Sequence, residues 1–91
     1  MKMRPISYQE LAVGAASAVV ANPFGGQTYQ IRLATTAACR YRVVDGGGGT
    51  ALATDALLPP NWVEYIDVSP GQKIAAIQEA AGGKLSIVEL A

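Results

Sequence analysis

The chain has 91 residues, enough for one domain, and with one Cys and no His it excludes an intrachain disulfide, a His-containing zinc site and every dyad or triad built on imidazole. Seven Lys plus Arg balance seven Asp plus Glu, which excludes the basic excess that nucleic-acid binding needs. Apolar residues make up 51% and charged residues 15%, a composition that excludes disorder. A domain this small has a radius of gyration of about 12 Å and buries only about 60–65% of its unfolded surface, so a lone monomer is marginal.

Residues 1–22 read as an extended N-terminal arm with few charges, and residues 23–91 as the folded domain. Lys2 and Arg4 precede an apolar stretch from Leu11 to Ala21, in the manner of a secretory leader. Glu10 directly before the stretch, and its Ala-rich, Leu-poor content, argue against that reading. The stretch is also far short of the about 20 residues that span a bilayer, so no membrane partner is expected. Pro5 suits a strap, because it cannot donate to a central ladder. Met3, Arg4, Pro5, Ile6 and Tyr8 are the residues expected to dock on another chain.

Breakers at Asn22-Pro23, Gly25-Gly26, Gly46 to Gly49, Pro59-Pro60-Asn61, Ser69-Pro70-Gly71 and Gly82-Gly83 cut the rest into pieces of strand length. Regular short apolar segments of this kind predict a β-sandwich or barrel. Gln27 to Ala34 alternates, with Tyr29, Ile31 and Leu33 on one face; Cys39, Tyr41 and Val43 alternate likewise. A three-residue loop at Thr35–Ala37 then predicts a hairpin pairing Leu33 with Cys39, Ile31 with Tyr41 and Tyr29 with Val43. The same register clusters Arg32, Arg40 and Arg42 on its outer face. Either they splay into solvent, because opposed like charges are unfavourable, or they meet carboxylates of another chain, for which Arg is suited by its bidentate geometry.

Trp62 to Val68 is rich in aromatic and β-branched residues and follows two prolines, which predicts a strand ending at the Pro70-Gly71 turn. Lys73 to Ala81 is compatible with a two-turn helix closed by Gly82. A strand there forms a hairpin with Lys84 to Leu90, with Ile77 opposite Leu85, Ala75 opposite Ile87 and Lys73 opposite Glu89. That consistency favours the strand. The last strand carries Leu85 and Ile87 on one face and Val88 and Leu90 on the other. A two-sided apolar strand is expected to pack once in the core and once on a neighbour, which predicts a homo-oligomer, most simply a trimer.

No pattern holds a cofactor or a metal. Gly46 to Gly49 and Thr50 lack the Lys and the strand–loop–helix setting of a phosphate loop. Asp45, Asp55, Glu64 and Asp67 are too scattered for a calcium loop, and Glu64 and Asp67 fall on opposite faces of one strand. Cys39, on an apolar face, reads as a small buried hydrophobe. Trp62 reads as a core or interface anchor, or as a stacking residue for a sugar.

The run Glu64-Tyr-Ile-Asp-Val-Ser-Pro-Gly-Gln-Lys-Ile-Ala-Ala-Ile77, with Gly82-Gly-Lys-Leu-Ser-Ile-Val-Glu-Leu90 and the segment Tyr29 to Val43, resembles small structural proteins of tailed bacteriophages. The resemblance covers about residues 27–91 and not the arm. It implies a capsid-associated, jelly-roll-like antiparallel β-sandwich of the cement or decoration kind. Such a protein sits on the phage head surface, is made in the host cytoplasm and has the major capsid protein as partner. It implies no catalytic residue, so no enzyme is expected. A neck, tail or head-fibre component, and a carbohydrate-binding module using Trp62 and Tyr65, are the alternatives.

Overall fold

A computed structural model describes residues 4–91. The chain is all-β, with eight strands among the described residues: β1 (Pro5–Val13), β2 (Ala18–Val19), β3 (Gln30–Thr35), β4 (Cys39–Val44), β5 (Ala56–Leu58), β6 (Val63–Asp67), β7 (Lys73–Gln78) and β8 (Gly83–Leu90). They form two four-stranded antiparallel sheets, of order β1-β8-β3-β6 and β2-β7-β4-β5. The pairing is nested: β1 with β8, β2 with β7, β3 with β6 and β4 with β5. The radius of gyration is 12.0 Å.

The core follows from period-two patterning. Leu11 and Val13 of β1, Ile31 and Leu33 of β3 and Leu85 and Ile87 of β8 point in from the first sheet; Cys39, Tyr41, Leu58, Ile74 and Ala76 point in from the second. Val20, Phe24 and Val68 close the ends.

The expected arm is instead part of the sandwich. Arg4 and Ala91 exchange backbone hydrogen bonds of 2.7 and 2.9 Å, and β1 pairs with β8 from Pro5↔Leu90 to Val13↔Gly83, with a bulge between Pro5 and Ser7. Residues 18 and 19 then pair with β7 in the other sheet. The division at residue 22 therefore does not hold, because Leu11, Val13 and Val20 are core residues. Met3, the first residue of the expected strap, lies outside the described residues.

Both expected hairpins are replaced by crossings between the sheets. β3 pairs with β8 and β6, while β4 pairs with β7 and β5. Leu33 and Cys39 both point inward, as the alternation predicted, but from facing sheets. The crossing satisfies the same apolar faces as a hairpin and avoids setting Arg32 beside Arg40. Tyr29 is not on the apolar face; it is exposed, while Thr28 turns inward instead. β7 is a strand and not a helix, because pairing with β2 on one side and β4 on the other overrides the local propensity. Lys73 lies opposite Val44 rather than Glu89. The two crossings touch: a Cβ on Gly83 would stand 2.7 Å from Thr36 Oγ1 and 2.8 Å from Ala37 Cβ, so only glycine fits there.

Candidate functional site

The outer face of the first sheet is the most distinctive surface of the molecule. The register sets Tyr8, Val88, Arg32 and Tyr65 side by side across all four strands. The neighbouring row is Glu10, Ser86, Ala34 and Val63. Tyr8 is 71% exposed and Tyr65 59%, and Val63 and Ile6, the latter at the β1 bulge, are exposed as well. Trp62, 61% exposed, stands at the entrance of β6. Arg32 is half-buried in the middle of the first row, between Val88 and Tyr65, and has no ion-pair partner among the described residues.

Arg40 and Arg42 belong to another environment, the outer face of the second sheet, where residues of their own chain pair them. Arg40 Nε donates to Glu79 Oε2 at 2.6 Å, and Arg40 Nη1 to the Asp55 carbonyl at 3.1 Å. Arg42 grips Asp55 with two bonds, Nε to Oδ2 at 2.9 Å and Nη2 to Oδ1 at 2.7 Å. The Leu52 N–H donates to the same carboxylate at 2.7 Å. The Arg42 bonds, then that N–H, hold the Asp55 carboxyl below its ordinary range, as Arg40 does for Glu79. Arg40 and Arg42, expected either to splay into solvent or to meet carboxylates of another chain, find carboxylates within their own chain, leaving Arg32 as the arginine of that trio without one among the described residues.

Val88 and Leu90 also depart from expectation. They form the second apolar row of β8, but are only 6% and 5% exposed, flanked by β1 and β3. The two-sided pattern reports a central strand covered by its own chain rather than a contact left open. Arg4 and Pro5 are exposed, with their backbones committed to the β8 end of the sheet.

Polar groups inside the sandwich have structural partners. Glu89, 4% exposed, accepts on Oε1 from the Thr28 hydroxyl at 2.6 Å and the Gly25 N–H at 2.8 Å, which ties the 25–28 turn to the final strand. The Tyr41 hydroxyl donates to Glu64 Oε2 at 2.9 Å, bridging the two sheets; burial first, then this bond, pushes its pKa up to about 12. Burial likewise pushes the Cys39 thiol up, against a weaker opposing bond to Thr35, so it is not disposed to act as a nucleophile. No His/Cys/Asp/Glu group that could hold a metal ion and no ligand-sized pocket occurs among the described residues. The surface on offer is a flat sheet face.

Sequence reasoning singled out Arg32 but not the role of Val63, Tyr65 and Tyr8 as its companions on one face. The signal was present in β6, where Val63 and Tyr65 alternate against Glu64 and Ile66; which strands lay beside it was not. Compared with family models, curated proteins and solved structures, the chain matches none.

Proposed function

We propose that the chain is a non-enzymatic structural protein of a tailed-phage virion: a cement or decoration protein on the head surface that binds the major capsid protein and holds capsomers together. The sequence resemblance suggests this class, and the nested strand pairing supports a jelly-roll form of the sandwich. The observation that carries the reading is the outer face of the first sheet, where the exposed Tyr8 and Tyr65 end the row that holds Arg32, with no pocket among the described residues. A sheet face with exposed aromatic rings and an arginine unpaired among the described residues fits a protein surface that offers apolar side chains around a carboxylate. Binding only the assembled shell stabilises it by mass action, repeated over many symmetric copies.

The test is to fractionate purified phage particles and locate the chain by mass spectrometry, then compare its binding to assembled heads and to free capsid subunits. Retention on heads, and not on subunits, is the expected result; recovery in neck, tail or fibre fractions assigns it there instead. A carbohydrate-binding reading is favoured by one observation, the exposed rings of Trp62 and Tyr65, three positions apart in the chain. Trp62 is the single tryptophan, so its fluorescence reports on the entrance to β6 directly. Quenching by free oligosaccharides would favour the sugar reading.

A further inference from the structure

We infer that β6 is a pairing edge for a second copy of this chain, and that two molecules join there about a two-fold axis into one continuous eight-stranded sheet. In an antiparallel ladder, opposite residues alternate between exchanging hydrogen bonds and pointing their backbone groups to the other side. The Val68 N–H donates to the Tyr29 carbonyl directly opposite it. The alternation therefore turns the even-numbered residues Glu64 and Ile66 toward β3. It turns the N–H and C=O groups of Val63, Tyr65 and Asp67 away from the molecule. β6 is the end strand of its sheet, so these six groups meet no strand among the described residues.

The other edges are less suited. β2 and β5 have two and three residues. β1 is longer but carries devices that discourage pairing: the bulge at Ile6, the Glu10–Lys84 ion pair, and the Gln9 side chain bonded to Asn22 beside it.

The β6 edge complements itself. A two-fold axis at Tyr65 sets Tyr65 against Tyr65 of the second copy and Val63 against its Asp67, which uses all six outward groups. No like charges stand opposite one another, since Asp67 faces Val63. Pro60 and Pro70 bracket the segment on both copies, limiting the pairing to the same short length. Val63 and Tyr65 of this strand are exposed, and the exposed Trp62 directly precedes it. This gives a dimer in place of the trimer expected from Val88 and Leu90, which their own chain covers. The inference does not rest on the virion reading, because it uses only the edge of the sheet.

Sedimentation of the full chain across micromolar concentrations tests it, with circular dichroism as the check on folding. Wild type should form a dimer. Val63→Asp places two like-charged pairs across the axis and should weaken the dimer about tenfold. Val63→Asp with Asp67→Lys should restore it. Tyr65→Pro removes an outward N–H that the β3 ladder does not use, and should leave a monomer. In mild oxidant Tyr65→Cys should give a disulfide-linked dimer, since paired Cα atoms stand about 5.5 Å apart. Val63→Cys should not, because its copies lie about 14 Å apart along the strands. A wild-type monomer at every concentration overturns the inference. So does an oligomer indifferent to Val63→Asp and Tyr65→Pro, or equal crosslinking by both cysteines.

Discussion

Replacing Glu89 by alanine should cost a large share of the fold's stability. Its carboxylate accepts two short bonds, 2.6 Å from the Thr28 hydroxyl and 2.8 Å from the Gly25 N–H. Bonds to a charged acceptor contribute about 1.5–3 kcal/mol each, and a buried donor stripped of its partner costs about 1–3 kcal/mol. Thr28 is fully buried, so its hydroxyl has no ready access to water after the change. The effects overlap, and removing Glu89 also relieves the burial of a charge, so the net loss should be about 3 kcal/mol. A domain of this size has about 5–14 kcal/mol in all. In urea, with a slope of about 1.5 kcal/mol per molar, the midpoint should fall by about 2 M. Glu89→Gln keeps an acceptor oxygen and should lose about 1 kcal/mol. Thr28→Val should lose about 1.5 kcal/mol, and combining it with Glu89→Ala should cost about 1 kcal/mol less than the sum. A midpoint shift under 0.3 M for Glu89→Ala (about 0.5 kcal/mol), or strict additivity of the pair, would refute the latch.

Four further outcomes are expected. Removing residues 1–13 should abolish cooperative thermal unfolding, because burial of Leu11 and Val13 alone contributes about 3–6 kcal/mol and β8 loses its partner; an intact transition would restore the arm as a dispensable strap. Tyr41 keeps its proton to about pH 12 in the folded state, so the stability it adds is complete below about pH 10 and lost as pH rises toward 12. Tyr41→Phe should flatten that alkaline loss, by about 1 kcal/mol after allowance for solvent at the hydroxyl, in urea titrations at pH 9 and 12. Arg42 holds the Asp55 carboxyl low, so their pairing stabilises above the carboxylate range and is lost as pH falls through it; Asp55→Asn should therefore show a shallower fall in melting temperature between pH 6 and 3. Arg32→Glu should change stability by less than about 0.5 kcal/mol yet abolish the proposed retention on phage heads, and unchanged retention would count against the face as the docking surface.

Side-chain direction was legible in the sequence over much of β3, β4, β6 and β8. Ile31, Leu33, Cys39, Tyr41, Leu85 and Ile87 alternate, and strand geometry sends alternate residues to one side whatever lies next to them. That local rule sufficed for an all-β fold and an inward Cys39. It could not reveal whether neighbouring strands pair or face each other, since a hairpin and a crossing place Leu33 and Cys39 on the same apolar side. The tertiary structure decided this through contacts distant in sequence: β8 inserts between β1 and β3, and β7 between β2 and β4. Those insertions converted the apparent arm into an edge strand and covered Val88 and Leu90. They also placed Arg32 on the opposite outer face from Arg40 and Arg42. Tyr8 and Tyr65, 57 positions apart in the chain, share a face only because β8 and β3 lie between them. Periodicity along a chain fixes which way a side chain points, whereas a surface built from four strands depends on their order, which long-range pairing alone determines.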